Sequence, residues 1–172
     1  FNLAPEKVMV SSVGMADGML RLAERFPRVR LALSLHSARQ EVREQLVPLG
    51  KRYPLSELRR CVVELNALQP GPVMLEYLML AGLTDGEEDL LALLSWTEGL
   101  NVHLNLIPYN PIAGAPELVA SAASTSTTVP LATSAAIRAA AASDTSGCWR
   151  RSCTSQKSVA IARASRSARA GS

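Results

Sequence analysis

Apolar residues follow two different spacings along roughly the first 118 residues of the chain. Short, nearly continuous apolar runs are typical of buried strands, and apolar residues recurring every three or four positions are typical of one helix face. The predicted strands are Lys7–Ser12, Val29–Leu35, Val73–Leu80 and Val102–Ile107. The predicted helices carry their apolar residues at Met15, Met19, Leu22 and Phe26, then within Arg39–Leu46, then at Leu55, Leu58, Val62 and Leu65, and finally up to Trp96.

Prolines, glycines and small polar residues indicate where these elements end. Pro48 stops the second helix, the third begins near Pro54, and Gly99 closes the fourth. We expect Thr84 or Asp85 to cap the fourth helix, because their side-chain oxygens can accept hydrogen bonds from its first amides.

This order of elements predicts the fold class. Strands that alternate with helices and are too apolar to have one wet face favour a parallel α/β sheet or barrel. A complete eight-fold barrel needs about 200 residues or more, so four β/α units make an incomplete one. We therefore predict an α/β fold, a partial parallel (β/α) barrel.

The composition changes near residue 118. Of the last 52 residues, 32 are Ala, Ser or Thr, and large apolar residues are isolated. Such a segment buries too little to offset its chain entropy. We predict a folded unit at 1–118 and a low-complexity tail at 119–172, interpreted either as a natural flexible basic tail or as a reading-frame shift, which we favour.

Charge and cysteine content change this picture little. Residues 1–120 hold 11 basic and 14 acidic residues, and residues 121–172 hold 7 basic and one acidic, so the net charge of +3 comes from the tail. Cys61 lies on an apolar helical face and is predicted to be a core residue, whereas Cys148 and Cys153 have no metal-site spacing. The sequence contains no apolar run of about 18 residues, so no membrane span is predicted.

Polar residues stand where the predicted strands end. Ser11 and Ser12 end the first strand, Ser34 and His36 end the second, and Asn110 follows the fourth. The carboxyl ends of parallel strands meet at one edge, where ligands bind. The pattern therefore predicts a mouth for a polar ligand.

Each of these residues also has a structural interpretation. Ser11 or Ser12 could cap the next helix, His36 could bond a loop carbonyl, and Asn110 could serve a turn. Glu76, inside the third strand, is more readily explained as a buried partner of an arginine than as a catalytic group. A histidine on a strand is more often structural than catalytic, and we interpret His103 in this way.

The residue sequences at the strand ends resemble the motifs of a known family. VMVSSVG, LALSLHSARQEVREQLVPLGKRYPL, VMLEYLMLAGLTD and VHLNLIPYNPIAGAP are similar, in order and spacing, to the RlmN/Cfr family of radical S-adenosylmethionine RNA methyltransferases. The resemblance covers roughly residues 5–117. It implies a partial barrel of radical S-adenosylmethionine type, of which this chain holds the last four strands.

The resemblance also implies a reaction and a set of site residues. The family methylates C2 of an adenine in 23S ribosomal RNA, in some members also in tRNA, through a methyl-cysteine, using S-adenosylmethionine and a 4Fe–4S cluster. Residues of this chain that match the family's cofactor contacts are Ser11, Ser34, Leu35, His36 and Asn110. The resemblance assigns no catalytic role to Glu76.

The chain also departs from the family pattern. It contains neither the C-x3-C-x2-C cluster motif nor the Ala-Cys-Gly-Gln context of the methyl-carrying cysteine, and Cys148 stands in SGCWRR. We therefore expect a fragment of a longer cytoplasmic protein, inactive by itself, with no metal ligands or identifiable catalytic residue, no membrane association and a monomeric state. The alternative is a non-catalytic remnant that binds RNA through its basic tail.

Overall fold

The computed structural model describes residues 3–110 and 118–121 and the backbone of residues 127–130. After a 3-10 turn at Pro5–Lys7, the elements are β1 (Met9–Ser12), α1 (Ala16–Arg25), β2 (Arg30–Ser34), α2 (Gln40–Leu46), α3 (Leu55–Leu68), β3 (Val73–Met79), α4 (Glu87–Thr97), β4 (Val102–Pro108) and β5 (Thr127–Pro130). The four predicted strands and the helices between them are confirmed. None of the helices among these residues is both long and apolar enough to cross a lipid bilayer.

The sheet has the order β1-β2-β3-β4-β5, and its first four strands are parallel. Each step from one parallel strand to the next passes through at least one helix, as parallel connections require. The sheet is open, with β1 at one edge, so the predicted partial α/β barrel is confirmed.

The hydrophobic core lies between the helices and one face of the sheet. Because side chains alternate between the faces of a strand, every second residue joins the core, as Leu33, Leu75 and Leu104 do. The helices contribute Met19, Ala23, Leu58, Val62, Leu65, Leu90 and Leu93. This burial stabilises the sheet and leaves its opposite face for other chemistry.

Cys61 belongs to this core, as predicted. It is buried, and its Sγ lies 3.8 Å from the carbonyl oxygen of Ala16 on α1. Burial raises the pKa of the Cys61 thiol to about 11, which keeps it protonated and unreactive at neutral pH.

The start of α4 differs from the prediction. Its N-terminal cap is Gly86, whose amide donates to the Asp89 carboxylate at 3.2 Å. Thr84 instead accepts a hydrogen bond from the Leu80 amide and donates one to the Leu78 carbonyl. The prediction of Thr84 or Asp85 as the cap is wrong, because the Thr84 hydroxyl is used to turn the chain at the end of β3.

Part of the segment predicted as a tail lies against the sheet. Ala120 forms an antiparallel bridge with Leu80. The strand β5 pairs antiparallel with β4, with Val129 opposite Leu104. The sequence did not predict this strand, because no apolar alternation marks it. Cys148 and Cys153 lie outside the described residues.

Candidate functional site at the carboxyl edge of the sheet

A row of polar side chains crosses the face of the sheet that points away from the helices. Ser34 on β2 stands directly opposite Glu76 on β3, and Glu76 stands opposite Asn105 on β4. Ser11 on β1 pairs with Ala32, so it lies diagonally beside Ser34. The register of the four parallel strands therefore brings these side chains together in one polar patch.

Hydrogen bonds join the members of this patch. The hydroxyls of Ser34 and Ser11 donate to Glu76 Oε2 at 3.0 Å and 3.2 Å. The two hydroxyl oxygens are 3.4 Å apart. Since each hydroxyl has a single proton, both protons point to the carboxylate when both of these bonds are made. Ser34 is buried, Glu76 is half-buried and Ser11 is exposed, so the patch opens towards β1.

The two serines that end β1 have different roles. Ser12 Oγ accepts hydrogen bonds from the amides of Gly14 and Met15, at 3.2 Å and 3.1 Å. Ser12 therefore shapes the turn before α1 but does not cap the helix, whose N-terminal cap is Met15 without a side-chain hydrogen bond. Ser11 is left to face Glu76 across the sheet.

Glu76 has no arginine partner in the part of the chain that the structure describes. Among the described residues, the ion pairs within 4.0 Å involve Arg28 and Arg39 and none includes Glu76. In this part of the chain that interpretation is wrong, because Ser34 and Asn105 stand opposite Glu76 in register and its carboxylate accepts from the Ser34 and Ser11 hydroxyls.

His36 stands at the point where β2 turns away from the sheet. Its φ of 58° is in the left-handed region, which L residues other than glycine seldom adopt. Its backbone amide donates to the Glu76 carbonyl at 3.0 Å, two residues past the end of β2. Its ring Nδ1 is buried and has no hydrogen-bond partner among the described residues.

The environment of His36 lowers its pKa below the usual value for histidine. Burial is the main cause, the nearby Arg43 guanidinium acts in the same direction, and Glu76 opposes both. The ring is therefore neutral at neutral pH. A neutral ring with an unpaired buried nitrogen can bind a donor or an acceptor group of a ligand, depending on its tautomer.

Leu35 contributes differently from its neighbours. Its side chain is fully buried in the core. Its amide donates to the Leu33 carbonyl, and its own carbonyl accepts from the Ser37 amide and from Arg43. Both backbone groups of Leu35 are thus engaged, and it places Ser34 and His36 through packing.

Arg43 on α2 holds two strand ends together. Its Nη1 donates to the carbonyl of Ser34 at 2.8 Å and to that of Leu35, and its Nη2 donates to the carbonyl of Val13 at 2.7 Å. The side chain is fully buried, and burial lowers the pKa of the guanidinium to about 10. The bonds to Val13 and Ser34 connect the turn after β1 with the end of β2.

Gly14 allows this arrangement. Its φ is 108°, and a Cβ at this position would come within 2.9 Å of Leu58 Cδ2 and 3.1 Å of Arg43 Nη2. Any larger residue would displace the guanidinium from the strand ends. The sequence indicates Gly14 only as part of a motif. It does not single out Arg43, because an arginine on a short helix with charged neighbours resembles a solvent-exposed residue.

The remaining predicted positions lie farther from this patch. Asn110 is exposed, two residues beyond the end of β4. It shares the carboxyl edge with Ser34, but no hydrogen bond between them is found in the described part of the chain. His103 lies on β4, two residues before Asn105 and opposite Met74. Burial and the charge of Arg30 lower the pKa of His103.

The donor set decides which cofactors fit here. Two hydroxyls, a carboxylate and an unpaired buried imidazole nitrogen suit a polar ligand with hydroxyl and cationic groups, such as S-adenosylmethionine. An iron–sulfur cluster does not fit the described residues, where Cys61 is enclosed in the core and no three His, Cys, Asp or Glu side chains form a metal-binding group.

Comparisons with known proteins bear on this site. The chain is 49% identical over 121 residues to a probable RNA methyltransferase of Rhodopirellula baltica, covering 70% of this chain and 32% of that protein. It is 41% identical over 114 residues to a probable dual-specificity RNA methyltransferase RlmN of Thermus thermophilus, covering 66% of this chain and 32% of that protein. No family model matches the chain.

A solved structure shows the same fold. A radical SAM methyltransferase from Sphaerobacter thermophilus superposes with a TM-score of 0.64 and 36% identity, covering 67% of this chain and 34% of that one. The chain thus spans about a third of the length of the relatives it matches. These comparisons confirm the resemblance: the chain is homologous to the RlmN-type RNA methyltransferases.

Proposed function

We propose that this chain, a homologue of the RlmN-type RNA methyltransferases, forms one wall of an S-adenosylmethionine pocket. The observation that carries the proposal is the convergence of Ser11 and Ser34 on Glu76 beside His36. Ser11, Ser34, Leu35, His36 and Asn110 are the residues assigned to the pocket. The family supplies the identity of the ligand, and the geometry supports the chemistry that it requires.

Each residue has a task that its surroundings allow. The Ser11 and Ser34 hydroxyls orient polar groups of the ligand, since each oxygen retains acceptor capacity while its proton is donated to Glu76. His36 offers its neutral ring to the ligand, and Leu35 fixes the backbone between Ser34 and His36. Exposed Asn110 closes the pocket from β4 with an amide that both donates and accepts.

S-adenosylmethionine supplies an activated methyl group, and in the family a 4Fe–4S cluster supplies the electron that starts radical chemistry. The described residues do not fit the cluster, so their contribution is to bind and orient the nucleoside and to limit its contact with water. The cluster and the methyl-carrying cysteine belong to the family's reaction and are not assigned to residues here.

The RNA substrate is the wider part of the proposal. The relatives from Rhodopirellula baltica and Thermus thermophilus are named as RNA methyltransferases, and we extend this to C2 of adenine in 23S ribosomal RNA and in tRNA. A cytoplasmic location and a monomeric state belong to the same proposal.

Equilibrium titration of the 172-residue chain with S-adenosylmethionine tests the pocket. Ser34→Ala removes one hydroxyl and is expected to weaken binding about ten-fold, as the loss of a hydrogen bond in a charged network does. Ser56→Ala, at an exposed position on α3, is the matched control and should leave binding unchanged. Absence of binding, or equal affinity in the wild type and Ser34→Ala, contradicts the proposal.

A chimera tests the reaction. Residues 3–118 would replace the matching segment of the Thermus thermophilus relative, with the rest of that protein intact. The chimera is expected to methylate adenine C2 in ribosomal RNA, as detected by mass spectrometry of the digested RNA, and Ser34→Ala should reduce the yield. A folded chimera that binds S-adenosylmethionine without methylating RNA contradicts the proposed reaction.

A further inference from the structure

The Glu76 carboxylate is the charged centre of the polar patch. It is half-buried on β3, and its Oε2 accepts hydrogen bonds from the neutral hydroxyls of Ser11 and Ser34. Among the described residues no lysine or arginine nitrogen lies within 4.0 Å of it. Its hydrogen-bonding partners therefore orient the carboxylate, and the described side chains supply no compensating ion for its negative charge.

The nearest buried cation does not serve as that ion. Arg43 directs both of its Nη atoms to the carbonyls of Val13, Ser34 and Leu35. The His36 ring is held in its neutral form by burial and by Arg43, so it adds no positive charge opposite Glu76. A half-buried charge with neutral neighbours costs free energy unless a counter-charge approaches.

We infer that Glu76 is a specificity-determining residue, which favours ligands carrying a positive charge over neutral ligands of the same shape. This inference rests on the proposed S-adenosylmethionine pocket and assigns a role to a residue that the pocket motifs leave without one. The matching charge on the ligand is a sulfonium or an ammonium group. In a partly dehydrated mouth, a carboxylate distinguishes such a cation far better than it does in bulk water.

A purely structural role for Glu76 predicts something different. If Glu76 merely holds the two serine hydroxyls in place, the charge itself does not matter. Glu76→Gln separates the two roles, because the amide oxygen still accepts both hydroxyl protons at nearly the same position while the charge is removed. Glu76→Asp makes the complementary change, since it keeps the charge and shortens the reach to the hydroxyls.

The test is a binding series with three ligands and four forms of the full chain. S-adenosylmethionine carries a sulfonium and an ammonium, S-adenosylhomocysteine carries only the ammonium, and methylthioadenosine carries neither. Dissociation constants are measured for the wild type, Glu76→Gln, Glu76→Asp and Glu24→Gln. Glu24 is exposed on α1, so its variant controls for the change in net charge.

Glu76→Gln is expected to weaken binding of S-adenosylmethionine about ten-fold or more while changing methylthioadenosine less than about two-fold. Glu76→Asp should keep the preference for the charged ligand, and Glu24→Gln should behave as the wild type. S-adenosylhomocysteine identifies the cation: it follows methylthioadenosine if the sulfonium is recognised and S-adenosylmethionine if the ammonium is.

Equal weakening of all three ligands by Glu76→Gln, or no change in any, overturns the inference and leaves the pocket intact. Failure of the wild type to bind any of the three overturns the proposed function, and the inference falls with it. Urea unfolding of each variant shows whether it is folded. If Glu76→Gln does not fold, the Asp variant decides, because loss of its preference for the charged ligand contradicts charge recognition.

Discussion

At the scale of single residues, His36 combines a rare backbone conformation with a half-buried ring whose Nδ1 is enclosed. The positive φ lets its amide reach the Glu76 carbonyl while the ring remains beside Arg43. A left-handed conformation costs about 1–2 kcal/mol for most L residues, and surrounding contacts must offset this. Such strain is common where a site fixes the direction of a side chain.

The lowered pKa of His36 makes stability depend on pH. In the unfolded chain the ring has its ordinary pKa of about 6.5, whereas the folded value is lower. Between the two values the unfolded chain binds more protons, so the free energy of unfolding should fall as the pH drops below about 6.5. His36→Asn, which tolerates a positive φ, should reduce this slope.

Urea unfolding between pH 7.5 and 5.5 measures the effect. The sequence has two histidines, and His103 also has a lowered pKa, so His103→Gln is the comparison and should reduce the slope separately. The double variant should lose the histidine part of the pH dependence. An unchanged slope in His36→Asn would show that its ring titrates alike in both states.

At the scale of elements, α2 is too short to be stable by itself. Its seven residues are fewer than the roughly 12–15 that an isolated helix needs in water. Arg43 attaches it to the ends of β1 and β2 through three carbonyls, and Val42 is buried in the interior. The helix therefore acts as a support for the mouth.

Replacing Arg43 should damage both stability and the pocket. Arg43→Met leaves the Val13 and Ser34 carbonyls without this donor and is expected to cost about 3 kcal/mol of unfolding free energy. S-adenosylmethionine should also bind more weakly, because Ser34 and His36 lose their fixed backbone. Arg43→Lys should have a stability and an affinity between those of the wild type and Arg43→Met, since one ammonium cannot reproduce the planar fork of the guanidinium.

Arg59 offers a matched control for this substitution. Its guanidinium likewise donates to backbone carbonyls, those of Trp96 and Glu98, but it joins α3 to the end of α4. Arg59→Met should lower stability without changing ligand affinity per folded molecule. If Arg43→Met and Arg59→Met change that affinity equally, Arg43 has no special effect on the mouth.

The elements could be predicted from the sequence, but several contacts could not. Apolar spacing located the four parallel strands, because each buries one face against helices of matching period. The partners of Glu76 depend on strand register, and a shift of one residue would move it to the other face. Arg43 resembles a solvent-facing charge in its local pattern, and β5 pairs through its backbone without an apolar signal.

At the scale of the whole molecule, the sheet separates two functions. One face packs against the helices and supplies the core, and the other presents Ser11, Ser34 and Glu76. The family motifs of the sequence lie largely at the carboxyl edge, whereas the core positions need only suitable apolar residues. Recognition of the family was possible for this reason, although the chain covers about a third of its relatives.

The folded unit is expected to extend beyond the domain boundary predicted from the sequence. The sequence places this boundary at 118/119, but backbone hydrogen bonds continue past it: Ala81 donates to the Val119 carbonyl at 2.9 Å and Ser121 donates to the Met79 carbonyl at 3.3 Å. The side chain of Ser121 is buried, and β5 covers the edge of β4. The stable unit should therefore extend to about residue 130.

Two shortened chains distinguish these boundaries. A chain ending at Pro130 should unfold with the same free energy as the full chain, because the Ala-, Ser- and Thr-rich remainder buries little. A chain ending at Leu118 loses the backbone hydrogen bonds made by Val119 and Ser121 and those between β5 and β4. Each such bond contributes about 0.5–1.5 kcal/mol. This chain should be less stable by about 2–3 kcal/mol and should self-associate through the uncovered edge of β4. Urea unfolding and sedimentation measure both effects, and equal stability of the two chains would restore the boundary at residue 118.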